Sequence, residues 1–309
     1  MGDKIATRAS YGEVLLELGE KYPNLVVMDA DLSGSTQTKK FASKYPERFF
    51  NMGIAEQNLY ASATGLALSG KIVCASTFAM FASGRAYEII RNSIGYTHAN
   101  VKICATHAGI TVGEDGASHQ TFEDIALMRE IPNMVVLNPS DANSCKALIR
   151  EAIKYDGPCY IRLGRAAVPV TYPEDCEVKI GKANLLKRGS DITIIATGIM
   201  VASALLASEK LGEEGISARV IDMHTIKPLD EKIIIKAAKE TGRIVTCEEH
   251  SVIGGLGSAV AETLSQNYPV KMRMVGQHDT FGESGKPDEL REKYGMTEND
   301  IIKACKELM

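Results

Sequence analysis

Short runs of β-branched and apolar residues alternate along this chain with longer stretches whose apolar positions recur at helical spacing. The short runs predict strands over 25–28, 72–75, 101–105, 134–137 and 160–163. Helices are predicted between them, near 11–21, 55–68, 83–96, 122–129 and 142–154. After a loop-like stretch with two prolines, 168–175, a second series begins. Its strands fall at 192–196, 218–221, 244–247 and 271–274, with helices near 202–213, 231–241, 257–267 and 300–308. Such alternation builds right-handed βαβ units and sheets covered on both faces. The expected fold is therefore α/β, with two doubly wound, mostly parallel-sheet domains. The boundaries read as 1–175 for the first domain, 176–189 for a linker and 190–309 for the second.

Composition narrows the partners. The 309 residues are 45% hydrophobic and 24% charged, with a net charge of −4 and acids and bases interspersed. Without a basic stripe, neither nucleic acid nor an anionic membrane is expected as a partner. No apolar run approaches the roughly 18 residues of a spanning helix. Met1-Gly-Asp-Lys begins no signal peptide, and the expected location is cytoplasmic. The seven cysteines are odd in number, widely spaced and without a Cys-x-x-Cys, a pattern of reduced core residues rather than disulfides or a zinc site.

Chemistry concentrates in the loop after the strand at 101–105, which reads Thr106-His107-Ala-Gly-Ile-Thr-Val-Gly-Glu114-Asp115-Gly-Ala-Ser-His119-Gln120. Open α/β sheets bind ligands at the carboxyl ends of their strands. His107, Asp115 and His119 are expected to converge there on one small polar molecule. Glu56, in Gly53-Ile-Ala-Glu56-Gln, alone reads as an ordinary helix-start carboxylate. Its apolar neighbours Met52, Ile54 and Ala55 imply instead a partly buried acid with a specific partner. Phe78 and Phe81 follow a strand and are spaced to clamp a flat heterocycle, although such a pair alone is more often core packing. Arg8, the Ser33-Gly-Ser35 turn, and Arg162 with Arg165 are candidate anion anchors. His98, His224, His250 and His278 read as surface or core histidines.

Taken in order, these segments resemble the transketolase family, in its C-terminal half. The resemblance is carried by Asp29-Ala-Asp31-Leu-Ser, Gly53-Ile-Ala-Glu56-Gln, Ser76-Thr-Phe78-Ala-Met-Phe81, the 106–120 loop and Asn138-Pro-Ser-Asp141. It continues through Ile161-Arg-Leu-Gly-Arg165, Thr225-Ile-Lys-Pro-Leu229 and Gly254-Gly-Leu-Gly257. It implies a pyrimidine-binding domain followed by the family's C-terminal domain. The Gly-Asp-Gly…Asn motif that holds a divalent metal and the thiamine diphosphate tail is missing. The chain is therefore expected to be one subunit of a split enzyme, completed by an N-terminal-half subunit in a two-fold dimer or heterotetramer. Ligands to Mg2+ or Ca2+ are expected on that partner.

By the same resemblance, Glu56 contacts N1′ of the thiamine diphosphate aminopyrimidine, while Phe78, Phe81 and Asp31 belong to the cofactor pocket. Glu56, His107 and His119 are the implied catalytic residues. His107, Asp115 and His119 would hold sugar oxygens, and Arg8, Ser35 and Arg165 a sugar phosphate. Many members carry a further aromatic shortly after the second Phe, where this chain reads Gly84-Arg85; Tyr87 is a candidate substitute. The implied activity is two-carbon ketol transfer between sugar phosphates, as in the pentose phosphate pathway. Deoxyxylulose-phosphate synthase is the nearest alternative, but it reads Asp-Arg where this chain has Thr106-His107. A 2-oxoacid dehydrogenase β subunit and a non-catalytic regulatory paralogue are further alternatives.

Overall fold

A computed structural model describes residues 3–309 of the chain. The expectation about a leader segment falls partly on Met1 and Gly2, which lie outside the described residues. Strands run, in chain order, β1 Lys4–Ala6, β2 Leu25–Asp29, β3 Phe49–Asn51, β4 Ile72–Phe78, β5 Val101–Thr106, β6 Val135–Leu137 and β7 Cys159–Arg162. They continue as β8 Ala167–Pro169, β9 Asn184–Lys187, β10 Ile192–Ala196, β11 Ala218–Asp222, β12 Thr225–Lys227, β13 Arg243–Ser251 and β14 Lys271–Gln277. A seven-stranded sheet has the order β12-β6-β7-β5-β4-β2-β3, and a five-stranded sheet the order β14-β13-β10-β11-β9. Every pairing within these two sheets is parallel except the edges β12 on β6 and β9 on β11. A small ribbon pairs β1 with β8.

Two short edge strands add detail around the expected linker. Residues 184–187, assigned above to the linker, form β9 and close an edge of the second sheet. β12, from the C-terminal half, crosses back to cover the edge strand of the first sheet. Both are short, as suits strands that shield an otherwise open edge. Their brevity is also why periodicity missed them.

Helix positions follow local rules. Ala142–Lys154 begins at Asp141, whose carboxylate accepts from the Ser144 N–H while the Asp141 N–H donates to the Ser144 hydroxyl oxygen. Its buried residues Cys145, Leu148, Ile149, Ala152 and Ile153 recur at three- and four-residue spacing and form one apolar stripe. The helix predicted over 83–96 takes a different form. Two π-helical turns, Phe81–Arg85 and Ile90–Gly95, flank a short α turn. In the first, the Ala86 N–H reaches back to Phe81 C=O at 3.3 Å. The strand expected over 72–75 extends to Phe78, so Ser76, Thr77 and Phe78 lie within it rather than after it.

One hydrophobic cluster runs from Val26, Ile103 and Tyr160 of the first sheet to Ile195, Ile221 and Ile244 of the second. Beside it sits a buried ionic network. Arg162, at the end of β7, donates from Nε to Asp124 Oδ2 at 2.8 Å and from Nη2 to the Glu249 carbonyl at 2.8 Å. Its Nη1 lies 3.8 Å from the Glu249 carboxylate, and Tyr160 Oη donates to Asp124 at 2.7 Å. Burial alone would raise the Asp124 pKa, but Arg162 and His250 draw it below the usual carboxylate value. Arg162 is thus a corrected reading: it is a buried tie between the two halves, not an anion anchor. His250 is likewise internal, accepting from the Ile125 N–H at 3.2 Å.

Arg162→Met would leave Asp124 and Glu249 buried without their cation. Breaking a buried pair from one side costs about 3–5 kcal/mol. Urea unfolding should show a loss of that size, whereas a loss under about 1 kcal/mol would mean that the network does not hold the halves together.

Candidate functional site

The carboxyl ends of β2, β4, β5 and β7 gather the candidate residues at one edge of the first sheet. β5 ends at Thr106, and the chain then turns through His107 and Gly109 at φ +59° and +81°. The left-handed conformation is costly for a histidine and free for a glycine. At Gly109 there is also no room for a side chain, because a Cβ would collide with the Glu249 carboxyl. Glu249 Oε1 accepts from the Thr111 N–H at 2.7 Å, so the C-terminal half shapes this loop directly.

His107 stacks on Phe78 with ring centroids 3.9 Å apart, and Phe78 in turn stacks on Phe81 at 6.0 Å. His119 meets Phe81 edge-on at 5.5 Å. The two histidines and two phenylalanines form one aromatic wall, a grouping of the two ring types that the sequence reading kept apart. His107 Nε2 lies 3.4 Å from Arg8 Nη1, which can only donate. That assigns the proton to Nδ1, which donates to Thr106 Oγ1 at 2.9 Å. Burial, then the charges of Arg8 and Arg165 and the neighbouring His119, push the His107 pKa down to about 3. The imidazole is neutral at any physiological pH and can both donate and accept.

Arg8 also donates to the Ser35 carbonyl at 2.9 Å, so Ser35 engages through its backbone. Burial and then Arg165 lower the Arg8 pKa, which places two guanidinium charges near each other beside His107. Arg165 donates to Glu114 at 2.7 Å and to the Val112 carbonyl. The Glu114 pair is largely exposed and correspondingly weak.

Two candidates stand apart. Asp115 is exposed, and among the described residues its side chain makes none of the hydrogen bonds of this cluster. Asp31, also exposed and at φ +64°, accepts from Asn51 Nδ2 at 2.8 Å. Its neighbour Asp29 is the more deeply embedded acid: Thr36, Thr38 and the Leu32 N–H all donate to it. Sequence reading passed over Asp29; its place at the end of an apolar strand was the available signal. It shapes the 29–38 turn that delivers Ser35 to Arg8.

Glu56 is 1% exposed at the first position of the helix Glu56–Leu68. Its specific partner is Arg85, whose Nη1 donates to Oε2 at 2.7 Å; the Thr77 hydroxyl lies 3.4 Å from Oε1. Sequence reading identified Arg85 only as a missing aromatic. A buried carboxyl joined through Arg85 to the Phe81 ring, which stacks on Phe78, fits an aminopyrimidine, which needs a carboxyl that can share a proton at its ring nitrogen and a flat surface on its face. Among the described residues no group of three His, Cys, Asp or Glu is arranged to hold a metal.

The family model for the transketolase pyrimidine-binding domain matches residues 3–171, and that for the transketolase C-terminal domain matches 181–301. A provisionally named transketolase C-terminal section from Methanocaldococcus jannaschii is 56% identical over 98% of this chain and 96% of that protein. One of the subunits of an apulose-4-phosphate transketolase from Phocaeicola vulgatus is 42% identical over 99% of this chain and 98% of that protein. Mouse transketolase is 36% identical, and the chain spans 50% of its length. A solved split-gene transketolase, described as an inactive beta4 tetramer, superimposes with a TM-score of 0.92 at 54% identity, over 99% of this chain and 98% of that one.

The electrostatics of His107 predict a measurable response. Arg8→Ala should raise its pKa from about 3, while burial keeps it below the ordinary value of about 6.5. Because the folded value is depressed, the chain loses stability as pH falls from about 6.5 through it, and less so in the variant. Imidazole carbon shifts followed by NMR against pH would read this directly; a wild-type value near the ordinary one would overturn the account.

Proposed function

The chain belongs to the transketolase family, and we propose that it is the C-terminal-half subunit of a split transketolase that moves a two-carbon ketol unit from a ketose phosphate to an aldose phosphate. The observation that carries this reading is the buried Glu56 carboxyl, joined through Arg85 to the stacked Phe81–Phe78–His107 rings, with Arg8 and Arg165 beside His107. The diphosphate tail and its Mg2+ or Ca2+ are assigned to a separate N-terminal-half subunit. Matches that span nearly all of a C-terminal section, but half of mouse transketolase, support that division. Two copies of each subunit give a two-fold heterotetramer.

Thiamine diphosphate, when bound, supplies the nucleophilic carbon and the electron sink that cleavage of a ketose requires. This chain's residues do the rest. Glu56 holds a proton against N1′ of the pyrimidine, a role that needs a carboxyl shielded from competing water. Phe78 and Phe81 line the ring. Neutral His107 offers one donor and one acceptor to the sugar's reacting end, and His119 lies across the same wall. Arg8 and Arg165 bind the phosphate. For Asp115 and Asp31 the proposal is weaker support, sugar-hydroxyl contact and pocket wall, since both are exposed. Relatives of this chain are named for a 6-deoxy-6-sulfo-fructose and for apulose-4-phosphate, so membership of the family does not by itself fix the sugar.

Purified alone, the chain should show no ketol transfer with thiamine diphosphate and magnesium, and addition of the N-terminal-half subunit should restore it. In the restored enzyme, Glu56→Gln should lower kcat about 10²–10⁴-fold, the usual size of a lost acid–base group. It should also slow deuterium exchange at the cofactor's C2. Unchanged exchange would move the acid role to another residue.

Arg8→Ala and Arg165→Ala should raise KM for phosphorylated ketoses roughly tenfold to a hundredfold, the size of a lost charge-assisted bond. KM for hydroxypyruvate, which has no phosphate, should change far less. Equal losses on both donors would reduce the arginines to a structural role. His107→Ala is the contrast, and should impair both donors alike.

A further inference from the structure

Arg85 makes the two contacts that an aminopyrimidine would make in the same place. Its Nη1 donates to Glu56 Oε2 at 2.7 Å, and its guanidinium lies 4.8 Å from the Phe81 ring centroid. Both are features of a flat cationic group that hydrogen-bonds at its edge and stacks on its face. The π-helical turn Phe81–Arg85 sets the geometry, carrying the arginine over the ring four residues before it. Glu56 is buried, but the Arg85 side chain is 48% exposed and makes no other hydrogen bond among the described residues. Its head can leave for solvent without stranding a second partner.

We infer that Arg85 is a displaceable plug of the pyrimidine site: it holds Glu56 as an ion-paired carboxylate until the cofactor arrives, then swings out as Glu56 takes up a proton. The inference rests on the reading of Glu56 as the carboxyl that meets N1′. The chemistry demands an exchange. A carboxylate neutralised by a guanidinium has no proton to share, whereas contact with N1′ requires one. The ring and the guanidinium also compete for the same face of Phe81. The proton comes from solvent, so each cofactor bound should carry one proton into the protein. A closed plug also keeps a buried acid paired in a chain that has not met its cofactor.

Calorimetric titration of thiamine diphosphate with Mg2+ into the reconstituted two-subunit complex, in buffers of different ionisation enthalpy, tests this. The wild-type complex should take up close to one proton per site near neutral pH. Arg85→Ala and Arg85→Gln should take up markedly less, and should bind about tenfold more tightly if the open form is about a tenth of the population. Thermal midpoints of the two variants check that each is folded. Binding that is weaker or unchanged in both, with wild-type proton uptake, would overturn the plug and make Arg85 a permanent partner of Glu56. Glu56→Gln separates the two readings. Proton uptake should vanish in that variant, and uptake that persists would overturn the role given to Glu56 itself.

Discussion

The loop that carries His107 depends on a cation buried where two sheets meet. Arg162 leaves the end of β7 and is held by Asp124 on one side and Glu249 on the other. A guanidinium suits this place because its planar fork can satisfy a carboxylate and a carbonyl at once and never loses its charge. Glu249 then reaches on to the Thr111 N–H, and its carboxyl fills the space that only a glycine at 109 leaves open. The loop that carries His107 is therefore shaped by a residue of the other half of the chain. Buried ion pairs add little net stability, but they penalise any arrangement that separates them. Here that penalty falls on misplacing the loop.

A second constraint is the handling of acids. Glu56, Asp29, Asp124, Glu248 and Glu249 are all buried, and each is answered differently. Asp29 is met by hydroxyls and a backbone amide, Asp124 by an arginine and a tyrosine, and Glu248 by the Leu256 and Gly257 N–H groups at a helix start. Apart from the half-buried Leu32, those partners are themselves buried. Glu56 is answered instead by the charged side chain of Arg85, which is half-exposed.

Much of this architecture was legible in the chain itself. The alternation of apolar runs with helical stretches is local and repeats at each βαβ unit, so fold class and most elements could be read directly. Three predicted spans, 142–154, 192–196 and 231–241, match their elements residue for residue. The site residue types were also visible, because a histidine- and glycine-rich loop after a strand, and an acid among apolar residues, are local signals. Where polar residues continue a buried strand, as in Glu248-Glu-His250 of β13, periodicity ends too early, since local pattern equates burial with apolar composition.

Pairing between distant residues was decided by the tertiary structure alone. Arg162 and Arg165 stand three apart and look equivalent in sequence, yet one is buried against Asp124 and the other half-exposed at the site. Glu56 and Arg85 are separated by 29 positions, and a single extra residue in a π-helical turn determines that they meet. β12 joins the first sheet from the second half of the chain, across a span no local window covers. The neutrality of His107 belongs here too, because it depends on burial and on two arginines brought from either end of the first domain. Periodicity is a property of neighbours along the chain, whereas charge, desolvation and stacking act between neighbours in space; the first set the fold, and the second made the site.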